Sequence, residues 1–220
     1  MTAPNSTQSK EAAMTRSITL AGIGAASVIY LVLTLIAMHA IQPGLNPATH
    51  YVSEYAHGQL GVLVMVAYVA AGLGVLTLAW TARSTLSGTR SLALAACLAV
   101  VGVGLIATGV TRIDVPGADG SVVSSASGMA HELAGYVLLM GLIPAAFLVA
   151  ATFRRDPRLS SAARPAWIFA GAIIIAFIVA VMSLSLDLIG VGQRIFLATW
   201  LAWLIFVAFQ LSSAERPAPG

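Results

Sequence analysis

Charge is what this sequence has least of. Eleven Lys and Arg and eight Asp and Glu make up 9% of 220 residues, against roughly a quarter in an ordinary soluble domain. With a mean hydropathy of +0.92, so few charges leave no way to cover a water-facing surface, and most of the exterior must face lipid. A soluble globule is excluded. The single cysteine, Cys97, lies inside an apolar run, which excludes a disulfide framework or a Cys-based metal site within one chain. The net charge of +3 comes from bases scattered over short connections rather than clustered on one soluble face, so a nucleic-acid partner is excluded as well. No connection is long enough for a soluble catalytic domain.

What is present is a series of long apolar runs. A helix needs about 20 apolar residues to cross ~30 Å of hydrocarbon, and runs of that kind stand near 18–41, 60–80, 92–110, 129–153, 167–186 and 195–211. The expected fold is an all-α integral membrane bundle of six transmembrane helices. Nine of the eleven Lys and Arg fall on one side of these spans, with only Arg112 and Arg194 on the other. By the positive-inside rule both termini of this multi-pass protein are expected on the cytoplasmic side. Trp80 and Trp167 fall at the cytoplasmic interface and Tyr51 and Tyr55 at the outer one, as amphipathic rings should. Residues 1–16 and 213–220 are expected to be disordered tails flanking the membrane domain at 17–212. The basic cytoplasmic connections suit contact with anionic headgroups.

Two Gly-x-Gly patches, Gly72/Gly74 and Gly102/Gly104, sit mid-span with no strand before them. They predict close helix packing rather than a dinucleotide fingerprint. Pro144 removes a backbone donor from the fourth span and is expected to kink it.

The reactive groups are segregated. His39, His50, His57 and His131, with Glu54, Asp114, Asp119, Glu132 and Asp187, all fall at the outer side, more than a rule about Lys and Arg requires. After Asn46-Pro47, which reads as a helix start, His50, Ser53, Glu54 and His57 stand at i, i+3, i+4 and i+7, one face of one helix. His50, Glu54 and His57, with His131, form a candidate set for a divalent metal such as zinc, or a hydrogen-bonded acid/base array. The alternative is that Ser53 caps the second span while Glu54 complements its dipole. Asp114 and His131 sit where helix ends meet the membrane, costly places for ionisable groups unless paired. Asp187 and Arg194 flank a tight turn and can form an ion pair or clamp an anionic headgroup. His39 reads as an interfacial histidine.

The order Pro47, His50, Ser53-Glu54-Tyr55-Ala56, Asp114, His131, Gln193-Arg194 across the six spans resembles the bacterial membrane proteins called domain of unknown function 998, over about residues 18–212. The resemblance implies a six-helix membrane protein and no established reaction. His57 departs from the small residue expected there, which shifts weight to Ser53, Glu54, Asp114, His131 and Arg194. A serine, an aspartate and a histidine on one side of six spans are also similar, more remotely, to membrane hydrolases of the ceramidase and progestin-receptor type, whose paired last-span histidines are missing here.

Two readings stay open. In the first, the chain is a hydrolase or transferase acting on a lipid or lipid-linked substrate, with His131, Asp114, Ser53 and Glu54 catalytic and Arg194, Gln193, Arg112 and Asp187 holding the substrate. In the second, it is a non-catalytic lipid-binding, transport or scaffold protein whose outer polar network is structural, with membrane lipids, a protein partner or a second copy for company. No midplane charge or inverted repeat favours ion-coupled transport.

Overall fold

The structure, a computed structural model, describes residues 6–117 and 119–214. Six helices follow in order: α1 Ser6–Ile41, α2 Gly61–Thr85, α3 Thr89–Val110, α4 Ala126–Phe153, α5 Ala163–Ser183 and α6 Ile189–Ala214, with no strand among the described residues. Each carries a segment long and apolar enough to cross a membrane, and the chain is a multi-pass membrane protein. The helices overrun the apolar limits read from sequence at seven of their twelve ends, by three residues or more, while α5 stops three residues short of its own at Ser183. Residues 6–16, expected to be disordered, are helical, since Lys10 to Met14 are all good helix formers continuous with the first span. The tails expected at 1–5 and 215–220 lie outside the described residues.

The helices form a ring in chain order. Each packs on its successor and α6 closes back on α1, which short connections between antiparallel neighbours favour. Both α1 and α6 therefore point their outer chain ends to one end of the bundle. We call that the arginine end, and the opposite one, which carries all four histidines, the histidine end. Inside the ring, Leu31 and Met38 of α1, Leu78 of α2, Leu98 of α3, Leu142 of α4 and Trp203 of α6 are fully enclosed. α5 is the peripheral member: 22% of its span window is buried, against 39–50% for the other five.

Small residues set the helix spacing. A Cβ added to Gly72 would stand 2.6 Å from the carbonyl oxygen of Gly102, and one on Gly102 would stand 2.9 Å from that of Gly72. The two backbones touch, and the Gly-x-Gly patches are packing devices as expected. Gly141 packs the same way on the Cys97 carbonyl, 2.6 Å from where its Cβ would be. α4 continues as one helix through Pro144, which faces outward.

At the arginine end Arg158 gathers helix ends. Its guanidinium donates to Asp156 at 2.7 Å, to the Thr85 carbonyl at 3.0 Å and to the Ala214 carbonyl at 3.3 Å. Thr85 and Ala214 end α2 and α6, where carbonyls lack intrahelical donors and a cation meets the negative end of the helix dipole.

Candidate functional site

The first connection at the histidine end does not form the expected helix. Asn46 Oδ1 accepts from Ala48 N at 2.9 Å, and the Asn46 carbonyl accepts from Thr49 and His50. This turn then stops, because Tyr51 is extended (φ −66°, ψ 146°) and starts a separate 3₁₀ turn, Val52–His57. With a break and about three residues per turn in the second piece, the four-residue face is lost: Ser53 points inward and is buried, while His57 is exposed. His57 Nε2 reaches across to the Ile113 carbonyl at 2.6 Å. Ser53 does not cap α2 either, since Leu60 with a left-handed backbone (φ 58°) precedes that helix. Glu54 caps its own turn, accepting from Tyr51 N at 2.7 Å. Gln193 Oε1 accepts from Val52 N at 2.6 Å and docks the turn on α6.

Arg194 is not paired with Asp187. Asp187 is exposed in a left-handed turn (φ 54°), a conformation Asp tolerates. The Arg194 guanidinium points into the bundle instead. It donates to His39 Nε2 at 2.9 Å, to the His50 and Gly190 carbonyls at 2.9 and 3.0 Å, and to the Tyr55 hydroxyl at 3.3 Å. The Tyr55 ring lies 6.0 Å from the guanidinium carbon. Four of the five N–H donors of Arg194 are thereby used, leaving it poorly placed to clamp a headgroup. Tyr55, expected at the water interface, is fully buried, because its hydroxyl has a cation to meet inside. Arg112 is exposed, and its backbone rather than its side chain is held, by Ser127.

Asp114 anchors the start of α4. Its two oxygens accept from Ser125 Oγ at 2.6 Å and Ser125 N at 2.8 Å, and Ser125 Oγ in turn caps the helix by accepting from Gly128 N at 3.0 Å. The Ser125 hydroxyl, and then its backbone N–H, hold the Asp114 carboxyl below the usual carboxylate range. His131, one turn further on, turns Nδ1 toward the Thr111 carbonyl at 3.3 Å.

These groups surround one cavity of about 770 Å³ at the histidine end. Its mouth is polar, with His50, Tyr51, Ser53, Glu54, Asp114, His131, Glu132 and Gln193. Burial first, then the Glu54 and Glu132 charges, push the Tyr51 phenol above its ordinary pKa, so both carboxylates act on the same ring. Two helical stripes form facing walls: Glu132, Gly135, Tyr136 and Leu139 of α4, and Gln193, Phe196, Leu197 and Trp200 of α6, each at i, i+3, i+4, i+7. No residue of α5 lines the cavity, although α5 lies between those helices in the ring. At 1.5 Å rise per residue, Trp200 lies roughly 16 Å along α6, so the cavity reaches toward mid-bundle.

Among the described residues no Lys or Arg lines the cavity, whereas three carboxylates do. Three of its lining polar groups have nothing to bond among the described residues. Ser53 and Tyr68, each 6% exposed, make no side-chain hydrogen bond among the described residues, and Trp200 Nε1–H is buried without an acceptor. Tyr68 was not among the sequence candidates. A lone hydroxyl in the otherwise apolar start of α2 is the signal that could have found it.

The proposed metal set does not converge. Glu54 and His57 share the 3₁₀ turn, but His50 precedes it and His131 is on α4, and among the described residues no three His, Cys, Asp or Glu side chains are placed to hold an ion. The catalytic set shares the cavity but not a relay: Asp114 spends its oxygens on Ser125, and Ser53 makes no hydrogen bond to His131.

A closed ring of six apolar helices, with a cavity at one end that is polar at its mouth and apolar below, defines a polytopic membrane protein whose pocket is built from the bundle itself. The chain belongs to the family described as Protein of unknown function (DUF998), whose model matches residues 24–210, nearly the whole ring. No curated protein and no solved structure matches it.

Proposed function

We propose that this protein binds one lipid or lipid-linked amphiphile from the outer leaflet, with the headgroup in the polar mouth and an acyl or isoprenoid chain between α4 and α6. The observation that carries the reading is the pair of facing stripes on α4 and α6, whose polar residues lie at the mouth and whose apolar residues lie below, with α5 absent from the wall. A cavity of about 770 Å³ is within the ordinary range for small-molecule sites. The Ser53 and Tyr68 hydroxyls, without partners among the described residues, would each cost free energy against a purely apolar neighbour, and oxygens of a headgroup and of its linkage to the chain relieve that cost. Three carboxylates without a basic residue suit a neutral, hydroxyl-rich or cationic headgroup better than a bare anion.

Binding is favoured over hydrolysis because no Ser–His–Asp relay forms. The catalytic reading keeps one supporting observation: Ser53, Glu54 and His131 all border this cavity.

Gly135 makes the test clean. It lines the wall, and a Cβ there would meet nothing within 4 Å. Gly135→Trp should fill the cavity without disturbing helix packing. Native mass spectrometry of the protein released from mild detergent should find one retained lipid on the wild type and none on Gly135→Trp at unchanged melting temperature. Equal retention by both would reject the reading. Turnover of the retained lipid, lost in His131→Ala, would convert binding into catalysis.

A further inference from the structure

The arginine end carries a second cavity of about 640 Å³, between the α2–α3 and α4–α5 connections. We propose that it is a phosphate-binding site, built for a phosphate monoester and independent of the cavity at the other end.

Three features converge there. The first is the start of α3, where Gly88 precedes the helix with no side-chain cap. The Thr89 and Arg90 N–H groups therefore have no intrahelical acceptor and face the cavity with the positive end of the dipole.

The second is a buried hydroxyl. Thr152 of α4 is 7% exposed, and its Oγ1 has no hydrogen-bond partner. A buried threonine in a helix ordinarily bonds the carbonyl one turn back, as the fully buried Thr81 does in this protein. Thr152 does not, and it lines the cavity.

The third is charge. Arg90 and Arg155 border the cavity and make no side-chain hydrogen bond among the described residues. Arg158 forms another part of the wall while held by Asp156, the Thr85 carbonyl and the Ala214 carbonyl. Asp156, the one carboxylate among the described lining residues, is paired with Arg158 at 2.7 Å. Two guanidinium groups, two amides and a hydroxyl thus surround a space with positive charge left over, which is what a phosphate dianion requires.

The phosphate can belong to a lipid headgroup or to a soluble molecule, and two arms separate these. In detergent, inorganic phosphate is titrated against the whole protein by calorimetry. In parallel, the protein is placed in nanodiscs of phosphatidylcholine with phosphatidic acid, and the retained lipid is measured.

Thr152→Val keeps shape and removes the hydroxyl. It should weaken phosphate binding about 3- to 10-fold, the size of one hydrogen bond, at unchanged melting temperature. Arg155→Gln should weaken it at least as much. Arg154→Gln changes the neighbouring charge outside this lining and should have little effect. Losses in the calorimetric arm identify a soluble phosphate as sufficient; losses confined to phosphatidic acid identify a lipid headgroup. If Arg154→Gln matches Arg155→Gln and Thr152→Val changes nothing in either arm, the end is merely a basic surface and the proposal is overturned.

Discussion

Arg194 and His39, 155 positions apart in sequence, are joined by an Nε–H donated to Nε2 at 2.9 Å. Because Arg only donates, His39 accepts through Nε2 and carries its proton on Nδ1, which faces the Leu35 carbonyl at 2.7 Å. These two hydrogen bonds together select one tautomer of the imidazole. It ties the end of α1 to the start of α6 and closes the ring at the histidine end. His39→Ala leaves a guanidinium N–H without its acceptor and should cost about 1–3 kcal/mol. His39→Gln, which restores an oxygen acceptor, should recover part of that, while His39→Lys should be worse than alanine. Thermal unfolding in detergent gives the order; an alanine variant as stable as wild type would show that the bond is dispensable.

Asp114 makes a pH prediction. Its folded carboxyl titrates below the ordinary value, held down first by the Ser125 hydroxyl. A depressed folded pKa contributes stability that is complete above the unfolded value of about 3.9 and is lost as pH falls from there through the folded value. The start of α4 should loosen in that acid window. Hydrogen exchange of the amides at 125–129 should accelerate there in wild type, and Asp114→Asn should exchange faster already at pH 7 with a flatter acid dependence. Identical profiles would remove Asp114 as the anchor.

Two glycines give opposite outcomes for the same substitution. Gly72→Ala places a methyl 2.6 Å from the Gly102 carbonyl oxygen, so α2 and α3 must separate, at a cost of about 1–3 kcal/mol. Gly135→Ala meets nothing within 4 Å and should be neutral or stabilising by up to about 1 kcal/mol. Melting temperatures of the two variants check the contrast, and a tolerated Gly72→Ala would contradict the packing described.

Tyr68→Phe and Ser53→Ala remove hydroxyls that make no hydrogen bond among the described residues. Stability should change by no more than about 0.5 kcal/mol, because no protein hydrogen bond is broken. Lipid retention should fall about 3- to 10-fold. A large loss of stability with retention unchanged would mean that these hydroxyls serve the fold and not a ligand.

Leu60 adopts a left-handed backbone (φ 58°), which costs a branched residue about 1–2 kcal/mol. Leu60→Gly should relieve that strain and raise the melting temperature of the bundle; a lower one would show that the half-exposed side chain contributes more than the strain costs.

Much of the fold was legible because lipid imposes a simple rule. A segment of about 20 apolar residues has one stable form in hydrocarbon, so 60–80 or 92–110 had to be a helix whatever its neighbours did. Gly72 and Gly102 were legible as packing positions for the same reason. The site was less so. His50, Ser53, Glu54 and His57 show perfect helical spacing, yet an extended Tyr51 and the Gln193 amide accepting from Val52 N break that spacing in space. Local pattern assumed one helix, and a contact 141 positions away decided otherwise.

Sequence by itself determined that this is a six-span membrane protein with its histidines at one end, because hydropathy and charge act residue by residue. Tertiary structure decided what those residues do. It turned Arg194 inward to His39 and Tyr55, gave Asp114 to Ser125, and set unpaired groups of Ser53, Tyr68 and Trp200 around one cavity. Such partnerships depend on which helix ends meet when the ring closes, and no periodicity along the chain encodes that.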